Sequence, residues 1–194
     1  MQAVLTDQFD HLVLWAACLL GFFGFLRSVE FTVPILDSFD PSSHLSCTDI
    51  ATDSHLNPTT IRVYIKCSKT DQFHEGIHIY ISKTDNDLCL VAAMVSYLAH
   101  RPSSPGPLFI LKDGRVLTKS KLIELVRQAL QQAGIQSKTY SGHSFRIGAA
   151  TTAAARGIPE SLIKTLGRWK SDAYQAYIKL PIQSLAQVSQ SIAI

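Results

Sequence analysis

Two stretches of this chain set a base, cations and phenols at spacings suited to work on a phosphate. His143 and Arg146 stand at i and i+3 where a helical stretch opens, so they share one helix face. An arginine there can grip a phosphate through paired hydrogen bonds, and a histidine can move a proton to or from it. A capping histidine beside a solvated arginine is the plainer account of the same pair. Further on, residues 167–177 carry an indole, Trp169, and two phenols, Tyr174 and Tyr177, on a tight turn and short helix. Taken singly, core packing is the simpler account of each. Near the other end, Arg27 closes an apolar run and has Glu30 three residues on. A helix-end arginine paired with a neighbouring acid is the ordinary reading of that couple.

The elements that position these groups are legible from periodicity and punctuation. Residues 3–26 predict a helix that is amphipathic at first and then apolar all round, as suits the middle of a domain. Residues 31–60 form a polar connection with Pro34, Pro41 and Pro58, and one short strand is expected around Leu45 to Ile50. Ile61 to Lys66 and Ile77 to Ile81 alternate apolar and polar residues, which predicts two half-buried strands joined as a hairpin through 68–76. Asp87 to His100 reads as a helix, followed by a proline-rich break and an extended piece at Leu108 to Leu111. Thr118 caps a helix that runs to Ala133 and ends at Gly134. Ser144 to Arg156 forms an alanine-rich helix ended by Gly157, and Pro159 starts a short helix that stops at Gly167. Ser171 or Asp172 caps a last short helix bearing both tyrosines, and the tail from Gln183 has the makings of a final one. The fold class is therefore α+β, mainly α, with a small antiparallel sheet. Ser-Lys-Thr-Asp occurs at 68–71 and again at 82–85, but in a turn and then between a strand and a helix, so it marks no duplication.

Composition sets the bounds. The chain has 194 residues, 46% hydrophobic and 17% charged, which predicts one globular domain rather than disorder. A net charge of +3 permits nucleic-acid binding without announcing it. Four cysteines without a C-x-x-C pair argue for reduced thiols in an intracellular compartment, against a zinc site and against a disulfide framework. No secretory signal opens the sequence. Leu12 to Leu26 is free of charge, but 15 residues with two glycines fall short of the roughly 18 a membrane span needs. A buried core helix and no membrane association are expected.

The order of the groups carries more than any one of them. An arginine, a lysine in a hairpin turn, His-x-x-Arg, a histidine or tryptophan, and then a tyrosine resembles the catalytic domain of the tyrosine recombinases, the phage integrase family. The matching pieces are Gly24 to Glu30 around Arg27, Ser68-Lys69-Thr70-Asp71, Gly142 to Ala150 around His143 and Arg146, Leu166 to Trp169, and Tyr177-Ile178. They span about residues 10 to 181. Ser68 to Phe73 and Gly142 to Thr152 make the chain most similar to the recombinases of eukaryotic DIRS-like retrotransposons and cryptons.

The resemblance implies DNA recombination or integration through a 3′-phosphotyrosine intermediate. Arg27 and Arg146 would hold the non-bridging oxygens of the scissile phosphate, Tyr177 would attack in line, and Lys69 would protonate the leaving 5′ oxygen. His143 would take the tyrosine proton or hold the phosphate, Trp169 would donate its indole N–H, and Glu30 would orient an arginine or the histidine. No cofactor and no metal enter this scheme. Three points stay open. Tyr177 lies eight residues after Trp169, one fewer than the resemblance implies, and Tyr174 is the alternative nucleophile. Histidine is the commoner family residue at the place of Trp169. Lys66 and Lys83 also lie near the hairpin, although Lys69 sits in its turn.

By the same resemblance, residues 1–194 are expected to hold one catalytic domain without the preceding core-binding domain, with 182–194 as a tail that could dock on a neighbouring protomer. Expected partners are double-stranded DNA and, at full length, three further copies in a homo-tetramer on paired sites. A mobile-element origin in a eukaryote implies nuclear, or otherwise intracellular, residence. Two other readings differ in kind: a decayed or domesticated DNA-binding or assembly module, and an unrelated helical or membrane-associated scaffold resting on residues 12–26 alone.

Overall fold

A computed structural model of the protein describes residues 7–67 and 75–178. Its elements run α1 (Gln8–Phe23), α2 (Ser28–Phe31), β1 (Ile50–Thr52), β2 (Thr60–Ile65), β3 (Ile77–Ser82), α3 (Leu90–His100), α4 (Lys119–Gln132), α5 (Ser144–Ala155) and α6 (Glu160–Leu166). A 3-10 turn at Asp172–Tyr177 closes the described chain.

Helix α1 starts at Asp7, whose carboxylate accepts the Phe9 N–H at 2.7 Å. Its buried residues, from Val13 to Gly21, pack against α3 and α5. It is the central helix the apolar run predicted, and no helix among the described residues is long and apolar enough to cross a membrane. It ends at Phe23, three residues before the expected stop, because Gly24 caps it and Phe25 turns left-handed at φ 51°.

The sheet is antiparallel in the order β1-β2-β3, with Val63 opposite both Ile50 and Ile79. Ile61, Val63 and Ile65 face the core, as their alternation requires. In β3 only Ile81 is buried. The strand expected around Leu45 to Ile50 lies further on. Ser46 donates its N–H to Asp49 at 2.7 Å, which folds Cys47–Asp49 into a 3-10 turn and delays extension to Ile50. Lys66 holds that turn against the hairpin. Its ammonium meets Asp49 at 2.6 Å, the carbonyls of Pro41 and His44, and the Ser46 hydroxyl.

The main core joins α1, the sheet, α3, residues 108–117 and one face of α4. A second, smaller core gathers Phe25, Ala149, Ala150, Ile163, Trp169 and Tyr174. It fastens α5, α6 and the last 3-10 turn onto the bend after α1. This second core builds the candidate site.

Candidate active site

The bend after α1 sets the floor. Arg27 caps α2 in an extended conformation, and Glu30 at the third helical position reaches back to it. The Arg27 main-chain N–H donates to Glu30 Oε2 at 2.8 Å, and its Nη1 donates to Oε1 at 3.1 Å. The Glu30 side chain is 2% exposed, a burial that only such pairing makes tolerable.

Helix α5 supplies the next two groups. Gly142 stands against the bend: its carbonyl accepts the Ser28 N–H at 3.0 Å, and a Cβ there would run into the Ser28 hydroxyl. His143 follows as the N-terminal cap residue of α5. Its pKa falls below the ordinary value because of partial desolvation and then the positive charges of Arg27, Lys119 and Arg146, against which Glu30 pulls the other way. The shift favours the neutral imidazole, the form able to accept a proton.

Lys119 was not singled out in the sequence. A parallel bridge between Val33 and Thr118 sets the start of α4 beside the bend. This carries the half-buried Lys119 side chain up to Gly142.

Arg146 lies one helical turn further into α5 and is fully buried. Its Nη1 donates to the Phe25 carbonyl at 2.9 Å, Nη2 donates to the Gly167 carbonyl, and its guanidinium stacks 4.1 Å from the centre of the Trp169 ring. The arginine expected to hold the phosphate is thus engaged within the protein. Main-chain carbonyls and an indole cover it.

The turn after α6 shapes that cover. Gly167 has no Cβ, and the Trp169 ring folds back into the space a Cβ would fill. Arg168 takes a left-handed φ of 57°. Arg168 donates to the carbonyls of Gly24 and Phe25 at 3.1 and 3.3 Å and meets Glu30 Oε2 at 3.2 Å. A second arginine thus shares the Glu30 carboxylate. The sequence held a signal for it: the spacing of nine before Tyr177 falls on Arg168, not on Trp169.

Tyr174 is 4% exposed, packs against the Trp169 ring at 6.0 Å between centroids, and donates its hydroxyl to Glu160 at 2.6 Å. That carboxylate, with burial, raises the phenol's pKa, against a weaker opposing pull from Gln175. Tyr177 ends the 3-10 turn, which packs against α5. Lys69 and the tail at 182–194 lie outside the described residues. Of the other lysines, Lys66 is committed to the turn at 47–49, and Lys83 follows β3 at the end away from the hairpin turn. The structure thus brings Arg27, Glu30, His143, Arg146 and Trp169 into one cluster, with Lys119 and Arg168 added. Among the described residues no group of His, Cys, Asp or Glu is placed to hold a metal.

This arrangement of helices around a small antiparallel sheet is the fold of the tyrosine recombinase catalytic domain. The chain superposes on the XerH site-specific recombinase bound to palindromic difH substrate, a post-cleavage complex, with a TM-score of 0.68 at 16% identity, over 96% of this chain and 47% of that one. On XerA recombinase the TM-score is 0.60 at 15% identity, over 100% and 66% of the two chains. On the FLP recombinase in a Holliday junction complex it is 0.54 at 16% identity, over 96% and 47%. In sequence the chain is 27% identical over 182 residues to an integrase/recombinase XerD homologue of Selenomonas ruminantium. That match covers 87% of this chain and 49% of the relative, so the chain spans about half the relative's length. No protein-family model matches.

Proposed function

We propose that this chain is the catalytic domain of a tyrosine recombinase that cuts and rejoins duplex DNA. The observation that carries this reading is the meeting of Arg27, Glu30, His143 and Arg146, drawn from positions over 100 residues apart, around one bend of the chain. Tyr177 Oη attacks the phosphorus and passes its proton to His143. The bond from phosphorus to the 5′ oxygen breaks, and Lys69 protonates that oxygen. The product is a 3′-phosphotyrosine and a free 5′ hydroxyl, and the reverse path rejoins DNA. Arg27, joined by Lys119 and by an uncovered Arg146, balances the charge that builds on the phosphate. Commitment of the Tyr174 hydroxyl to Glu160 supports Tyr177 as the nucleophile.

The partner is double-stranded DNA; the XerH recombinase bound to its difH substrate and the FLP recombinase in its Holliday junction complex, whose fold the chain shares, support this. Assembly is a homo-tetramer on paired sites, with the tail at 182–194 docking on a neighbour. The chain is one catalytic domain of a mobile element of the DIRS-like or crypton type, acting in a nucleus. The sequence strings at 68–73 and 142–152 support that lineage.

A second reading, a decayed DNA-binding or assembly module, is favoured by one observation: Arg146 is fully covered. One experiment separates the two. The protein is incubated in EDTA with a randomised pool of nicked duplexes, and trapped adducts are mapped by mass spectrometry. A nucleotide on Tyr177 is expected. DNA retention without any tyrosine adduct supports the module instead.

A further inference from the structure

We infer that Arg168 is a positioning residue for the strand-transfer site, acting through Glu30 on Arg27, and that it ties the tyrosine-bearing segment to the pocket floor. The inference rests on the recombinase reading. Four observations support it.

The Arg168 side chain is 8% exposed and the Glu30 side chain 2%, so their contact is shielded from solvent rather than a surface pairing. Glu30 Oε2 takes both the Arg27 main-chain N–H and Arg168 Nη2, while Oε1 takes Arg27 Nη1. One carboxylate therefore sits between two guanidiniums and cannot shift toward one without loosening the other. Arg168 further holds the bend itself through the carbonyls of Gly24 and Phe25. Finally, Arg168 adopts a left-handed backbone that a side-chain-bearing residue rarely takes, and its buried contacts hold it there.

The consequence is mechanical. Trp169 stacks under Arg146, and its neighbour Arg168 reaches Glu30. The two side chains pin the 166–169 turn at both arginines of the site, and Tyr177 follows nine residues later. Loosening Arg168 lets Glu30 swing and moves Arg27 off the line it holds toward the phosphate. A displacement of about 1 Å in such a group costs roughly 10²-fold in rate.

The test is a double-mutant cycle on the full chain, using a nicked duplex that the wild-type protein cleaves, selected from the randomised pool. The rate of covalent adduct formation and the affinity for the duplex are measured for Arg168→Gln, Glu30→Gln and the double variant. Arg168→Gln is expected to slow adduct formation about 10²-fold with affinity changed less than about threefold. In the Glu30→Gln background the same change is expected to add less than about threefold, because its route through the carboxylate is already cut. Arg168→Lys, which keeps the charge toward Glu30, is expected to recover part of the rate. If Arg168→Gln does not fold, the same cycle is run with Arg168→Lys. Independent, additive losses, or a wild-type rate in Arg168→Gln, overturn the inference while leaving the recombinase reading intact. A wild-type chain that forms no adduct with any duplex overturns both.

Discussion

The Arg168 guanidinium reaches 138 residues back along the chain to lie 3.2 Å from the Glu30 carboxylate. Glu30 already holds Arg27 beside it, so the acid's burial depends on two cations from opposite ends of the chain. Removing the acid strands both. Glu30→Ala is expected to lower stability by about 3–5 kcal/mol, the cost of breaking a buried pair. Urea unfolding at pH 7 measures it. A loss under about 1 kcal/mol would show that water already screens the cluster.

The two tyrosines of the last turn are expected to part company. Tyr174 lies in the small core with its hydroxyl on Glu160. Tyr174→Phe is expected to melt lower than wild type and still to form the DNA adduct. Tyr177→Phe is expected to melt as wild type and to form none. An adduct that survives in Tyr177→Phe and vanishes in Tyr174→Phe would reassign the nucleophile.

His143 titrates below 6.5, through desolvation first and then the charges of Arg27, Lys119 and Arg146. The sign follows from a depressed folded pKa. The unfolded chain binds the proton more readily, so this group's contribution to stability is present above pH 6.5 and is lost as pH falls below it toward the folded value. Adduct formation is expected to fall along an acidic limb in the same window, since only neutral imidazole takes the phenol proton. Lys119→Met removes one depressing charge. An NMR titration should then show the His143 midpoint moving up toward 6.5, and an unchanged or lower midpoint would remove Lys119 from the site.

Lys66 holds the 3-10 turn at 47–49 to the hairpin through Asp49 and three oxygen acceptors. Lys66→Met is expected to cost about 2 kcal/mol of stability, as charged hydrogen bonds do when lost. Adduct formation should persist in the folded fraction. Lys69→Met is expected to fold as wild type and to lose cleavage. If the outcomes were exchanged, the proton donor would be Lys66.

Local rules made much of the fold readable in advance. Thr118 accepts the Lys121 N–H at the start of α4, and Gly134 and Gly157 turn left-handed just past α4 and α5. Caps and stops act within a helical turn, so residue type and spacing suffice to read them. The alternation of Ile61, Val63 and Ile65 likewise decided which face of β2 meets the core. The delay of β1 to Ile50 was harder to read, because Asp49 answers both to Ser46 and to Lys66 across the hairpin.

The sequence by itself determined the kinds of group available: guanidiniums at 27 and 146, an imidazole at 143, phenols at 174 and 177, and the helices and strands that bear them. Only the tertiary structure decided among chemically equal candidates. It sank the phenol of Tyr174 into a core, spent Lys66 on a turn, covered Arg146 with Trp169, and brought Arg168 to Glu30 beside Arg27. Caps and strand faces are settled over a few residues of chain. Partner choice between side chains is settled by distance through space and by the exclusion of water, and spacing along the chain encodes neither.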